Sequence, residues 1–197
     1  MITTKRSKKA KVQILGLGDC GIIVISKLSF KNHKFKNMCV GIGTNKKIFE
    51  VNKQIRKKVL IGKGEGCLNS YDYAFNLVAN NRGILEKIVK AKIIIMIANS
   101  GATSWALARY IIKEFTNNRR VFVIIQEAFL FEGYKRIAKI EELKIFVKKY
   151  PNVKVIKINP NETVEEHKWE HIGDVLIQID FKIIKVINEI MAEILKQ

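Results

Sequence analysis

Ile93-Ile-Ile-Met-Ile97, then Asn99-Ser-Gly-Ala-Thr-Ser104, a helical run to Phe115, and Val121-Phe-Val-Ile-Ile125 form the stretch on which the fold turns. Both apolar runs are short, continuous and rich in β-branched residues, which suits strands buried on both faces. A helix between two such strands returns the chain to the same end of a sheet and makes the strands parallel. The pattern repeats outward. Val12-Gln-Ile-Leu15 leads through Gly16-Leu-Gly-Asp-Cys-Gly21 into a helix carrying Ile22, Ile23, Ile25 and Leu28. Met38–Ile42 and Val59–Ile61 read as further strands, the latter followed by a glycine-rich loop, Gly62 to Gly66. Tyr71 to Val89 has helical spacing with a break expected at Gly83, and a helix is expected from about Gly133 to Tyr150. Val153–Ile158 is a last strand, and apolar residues at 172, 176, 179, 183, 187, 190 and 194 mark a long amphipathic helix. The expected class is a Rossmann-like, doubly wound α/β fold with a mainly parallel sheet, helices on both faces and a long final helix.

The 197 residues suffice for one well-filled domain, and 48% apolar composition excludes a disordered chain. No apolar run reaches membrane-spanning length, and Cys20, Cys39 and Cys67 fit neither a disulfide framework nor a zinc site. A soluble protein of a reducing, cytoplasmic compartment is expected. The net charge of +18 is uneven: residues 1–63 hold sixteen Lys/Arg against two Asp/Glu, whereas residues 127–197 hold twelve of each. So basic a half would attract a polyanion such as nucleic acid, acidic lipid or an acidic protein; scattered lysines that merely solvate a surface give the same count.

In doubly wound sheets, ligands bind beyond the carboxyl ends of the strands. Gly16-x-Gly-x-x-Gly21 and Asn99–Ser104 both stand there, each able to turn backbone amides and a helix N-terminus toward phosphate. The first matches a dinucleotide fingerprint, but Gly43-Thr-Asn45 stands where a ribose-binding acid belongs, which argues against NAD. His167 and His171 are spaced for one helix face without a third ligand, and Cys20 has no evident base.

Taken together with Val121–Arg136, these loops resemble the GTP-binding domain of the FtsZ/tubulin family. Phe129, Phe131, Glu132, Gly133 and Arg136 match the family's KPFxFEGxxR pattern, with Glu127 and Ala128 in place of Lys and Pro. The resemblance implies that Glu132 and Arg136 hold the ribose; the same two residues also form an ordinary i,i+4 pair. Asn161, in Ile158-Asn-Pro-Asn161, is similar to the guanine-contacting Asn of the family's IPND loop. The signature GGGTGTG falls on Asn99, Ser100, Gly101, Ala102, Thr103, Ser104 and Trp105, of which only Gly101 is kept. Gly18, Asp19, Cys20 and Gly21 resemble the tubulin GQCG segment, and Gly62–Gly66 takes the place of the γ-phosphate loop.

The final helix admits two frames. In one, Trp169, Gly173 and Asp174-Val-Leu176 match the start of the family's central helix, with Trp169 stacking on guanine. In the other, Gln178-Ile-Asp180-Phe181 falls on the NxDF catalytic loop, with Asp180 as catalytic acid. The first frame preserves the amphipathic period and implies that the catalytic loop and second domain are absent.

The expected division is then a basic segment 1–11, a nucleotide-binding domain 12–171 and a C-terminal helix 172–197. The resemblance implies GTP or GDP with Mg2+ as ligands, self-association or a full-length FtsZ-like partner, and a cytoskeletal or cell-division role with weak or no hydrolysis. The alternative is a non-catalytic interaction module that kept the fold and holds an anionic partner through its basic half.

Overall fold

A computed structural model describes residues 12–167 and 171–196. Six strands, β1 (Val12–Leu17), β2 (Cys39–Gly43), β3 (Lys57–Leu60), β4 (Ile93–Ala98), β5 (Arg120–Gln126) and β6 (Val153–Ile158), form one sheet in the order β3-β2-β1-β4-β5-β6. Every pairing is parallel. The helices are α1 (Gly18–Lys31), α2 (Lys46–Val51), α3 (Tyr71–Asn80), α4 (Arg82–Ile88), α5 (Ala102–Phe115), α6 (Tyr134–Val147), α7 (Pro160–Glu166) and α8 (Ile172–Leu195).

Successive strand residues divide between two apolar layers, as the two-residue period of a strand requires. Ile94, Met96, Val121, Val123 and Ile125 face a core shared with α3, α5 and α6. Ile95, Ile97, Phe122 and Ile124 face one shared with α1 and α8. Both faces of the sheet are therefore covered, and its apolar runs are continuous for that reason.

Sequence and structure part at short elements. The 71–89 helix breaks at Asn81, not Gly83: Asn81 ends α3 and its backbone also caps α4, while Gly83 lies inside α4. The segment 160–166 is helical rather than a loop, started by Asn159, whose side chain accepts from the Asn161 amide, with Pro160 in the first turn.

Candidate functional site

Strand order reverses between β1 and β4, and the loops leaving these two neighbours run to opposite faces of the sheet. Such a parting leaves a crevice at their carboxyl ends. A cavity of 320 Å3 fills it, near the lower end of the roughly 300–1,000 Å3 common for small-molecule sites. Its wall includes Gly18, Asp19 and Cys20 from the start of α1, and Asn99, Gly101, Ala102, Thr103 and Ser104 around the start of α5. Thr44 and Asn45 follow β2, Gly66–Asn69 come from the loop before α3, and Arg136 reaches in from α6.

Neither α1 nor α5 has a side-chain cap. Their first-turn amides and positive dipole ends lie side by side, since a Cβ on Gly18 would come within 3.2 Å of the Ser104 amide nitrogen. Gly18 has φ +67°, the left-handed backbone that lets the chain turn from strand to helix in one residue. The loop before α5 holds itself open: Asn99 Oδ1 accepts from the Gly101 amide at 3.1 Å, and Ser104 Oγ accepts from the Asn99 amide at 2.9 Å. Leu68 and Asn69 are also left-handed, at φ 48° and 56°, so that wall carries backbone strain for non-glycine residues.

The other two glycines of the fingerprint do something else. A Cβ on Gly16 would meet Gly21 O at 2.4 Å, and one on Gly21 would meet Ile97 O at 3.0 Å. They let α1 lie directly against β1 and β4, and Gly21 is off the cavity wall.

Charge on the wall is nearly balanced. Asp19 is its one acid and Arg136 its one base among the lining residues. Asp19 turns toward β2 and accepts from Asn45 Nδ2 at 2.9 Å. Arg136 pairs with Glu132 and donates to Asn69 Oδ1 at 3.4 Å. Thr44 and Thr103 share a hydrogen bond at 2.8 Å. Cys20 Sγ donates to Gln126 Oε1 at 2.9 Å; burial first, and the Asp180 carboxylate second, push its thiol up to about 12. It remains a thiol at neutral pH and is no nucleophile.

Several expected contacts lie elsewhere. Glu132 is behind the wall, accepting from the Phe129 amide at 2.9 Å and from Ser100 Oγ, which is itself buried away from the cavity. Asn161 is fully engaged: its Oδ1 accepts from the Leu130 amide at 2.9 Å and its Nδ2 donates to Ala128 O at 3.2 Å. It pins the 128–130 loop instead of presenting a free amide to a base. Gly173 sits in the exposed first turn of α8, and Trp169 lies outside the described residues. Asp180 is buried in the middle of α8 and bonds Lys27 of α1 at 2.5 Å, so it is an interhelical ion-pair partner rather than a loop acid. Thr44, Asn45 and Asn69 were not among the sequence candidates. Thr44 and Asn45 had a signal, since they follow a strand at its carboxyl end; Asn69 had none.

Among solved structures the chain is similar to FtsZ of M. jannaschii in a dimer, with TM-score 0.77 and 18% identity over 93% of this chain and 54% of that one. The fold is that of the FtsZ/tubulin proteins. CetZ of Methanosaeta thermophila shares the FtsZ/tubulin fold at TM-score 0.73 and 15% identity, covering 92% of this chain and 54% of that one. GDP-bound CetZ1 of Haloferax volcanii gives TM-score 0.68 and 18% identity, with 89% and 58% coverage. The chain thus spans little more than half the length of these structures. No family model and no curated protein matches the sequence. Among the described residues no helix is long and apolar enough to cross a membrane, and no cluster of three metal-ligating side chains occurs.

Proposed function

We propose that the cavity binds the phosphates of GDP or GTP and that the chain is a tubulin-like cytoskeletal or cell-division-related subunit with little or no GTP hydrolysis of its own. The observation that carries this reading is the meeting of two uncapped helix N-termini, α1 and α5, at the point where strand order reverses. A bound diphosphate would receive their amides and dipoles where the wall offers only one cation, Arg136. The CetZ1 structure holds GDP and the FtsZ structure is a dimer, which supports guanine as the base and self-association as the assembly. A Mg2+ accompanying the phosphates would take Asp19 as its protein carboxylate, the remaining positions being phosphate oxygen and water.

Nucleotide released from the purified protein and separated by chromatography is expected to be GDP or GTP. Its absence, together with no GDP binding by calorimetry, would reject the reading. Arg136→Ala is expected to weaken GDP binding about tenfold, one charge-assisted contact at roughly 1.4 kcal/mol. Asp19→Asn is expected to tighten it about tenfold without Mg2+, by removing a carboxylate from the phosphate's surroundings, and to lose that gain when Mg2+ is present.

Hydrolysis needs a water oriented against the γ-phosphate and charge stabilised on the phosphoryl oxygens. Asp19 is the one carboxylate on the described wall and, in this reading, is taken up by Mg2+; Cys20 is protonated, and Asp180 lies off the wall, paired with Lys27, so no other wall acid remains to orient the water. Phosphate release from GTP is expected at the uncatalysed background at every protein concentration. Concentration-dependent release abolished by Asp180→Ala, in a variant whose melting curve shows it folded, would instead support the catalytic-loop frame.

A further inference from the structure

The two edges of the sheet differ in how their cations are matched. Near β6, Lys144 pairs with Glu127 and Glu141, Lys139 with Glu142, and Lys182 with Glu166. Around β3, residues 34–65 hold nine Lys/Arg and two carboxylates: Glu50, which reaches only Lys46, at 3.7 Å, and Glu65, bridged to Asn45 beside the start of α2. Two hydrogen bonds place cations at both ends of β3. Lys46 N donates to Gly64 O at 2.9 Å, bringing the start of α2 beside Lys63 at the carboxyl end of β3. Arg56 donates to Asn37 Oδ1 at 2.9 Å at the amino end, next to Lys57. Lys53 and Lys58 stand between, on the rim of a shallow cleft floored by Phe49 and Leu60. Four strand residues with cations beyond both ends extend on the order of 20 Å. Lysines on an edge strand discourage strand addition, which accounts for Lys57 and Lys58 but not for those of α2 and the loops. Residues 1–11 add five Lys/Arg and no acid.

We propose that the β3 edge is a docking track for the phosphodiester backbone of nucleic acid. A line of exposed, mainly lysine charge matches a polymer of evenly spaced phosphates and reads no base edges, so binding is independent of sequence. An acidic peptide would want an anchor pocket, and Phe49 is buried in the floor. A membrane surface would want exposed apolar residues among the β3 lysines themselves, whereas the exposed Phe30 and Val51 line a separate cleft with Lys27, Lys31 and Phe181.

Anisotropy titration with a labelled DNA duplex and a labelled RNA stem-loop tests the proposal. Log affinity is expected to fall with log salt at a slope of about −4 to −5, as for roughly five phosphates neutralised. The triple variant Lys53→Glu/Lys57→Glu/Lys63→Glu should bind at least about tenfold more weakly and with a flatter slope. Lys148→Glu/Lys149→Glu/Lys157→Glu, with the same charge change near β6, should stay within about threefold of the parent. Tighter binding of either DNA or RNA supports the track and names its source. Equal losses in both variants, no binding at low salt, or equal affinity for poly-glutamate or for anionic phosphatidylserine vesicles would overturn it.

Discussion

Gly16→Ala is expected to destabilise the protein by about 3 kcal/mol, at the upper end of overpacking costs, lowering Tm by roughly 6–12 °C. The added Cβ would stand 2.4 Å from Gly21 O and 2.7 Å from Gly21 C, backbone atoms fixed by β1 on one side and α1 on the other. A flexible side chain could swing away; a peptide group at the root of a helix moves only with the helix. Gly83→Ala supplies the contrast. Nothing lies within 4 Å of its added methyl, and it is the second residue of α4, so a gain of at most about 0.5 kcal/mol is expected. Thermal melts of the two variants check both, and an unchanged Tm for Gly16→Ala would show that α1 is free to shift off the sheet.

Lys27→Met is expected to cost about 2–4 kcal/mol at neutral pH, less than the 3–5 of a fully enclosed pair because the Lys27 side chain is 34% exposed. Asp180 would remain buried in α8 with no counter-charge. Burial raises its carboxyl above the ordinary range and Lys27 alone pulls it back, so the variant's Asp180 would titrate higher still. A carboxyl whose folded pKa exceeds its unfolded one contributes favourably in acid, and the contribution is lost as pH rises through the folded value. The Lys27→Met penalty is therefore largest near neutrality and shrinks as pH falls, measured by urea unfolding across pH. Lys27→Met/Asp180→Leu should recover most of the loss, since neither charge is then left unpaired. A penalty constant with pH would mean that Asp180 finds water.

What could be read from sequence followed element length and burial. Ile93–Ile97 and Val121–Ile125 announce themselves because a strand covered on both faces has no polar alternation, and α8 because its period persists for 24 residues. The six residues of α2 and the seven of α7 make fewer than two turns each, too few for a period, although the capping residues Asn45 and Asn159 stood in plain view. In the site, the loops after β1 and β4 were legible because glycine and small polar residues followed apolar strands. Glu132 and Asn161 tie down their own loop here, and sequence does not distinguish such a side chain from one that touches a ligand. Asn69 arrives from a loop whose path is set by left-handed residues at 66, 68 and 69; Gly66 and Asn69 are of types that adopt that backbone, but Leu68 is not, and nothing in sequence marks it.

The central pairing of the sheet joins Val12 through Gly16 to Ile93 through Ile97. Some eighty residues of chain separate the partners, so at translation rates of about 5–20 residues per second β1 waits roughly 4–16 s for β4 to be made. In that interval β1, β2 and β3 can assemble only a three-stranded lobe whose inner edge, later covered by β4, lies open. The N-terminal lobe carries most of the protein's excess positive charge, and like-charge repulsion disfavours edge-to-edge joining of two such lobes. Synthesis of β4 covers that inner edge, and the crevice between α1 and α5 and the two apolar layers are completed only as α5, β5, α6 and α8 follow.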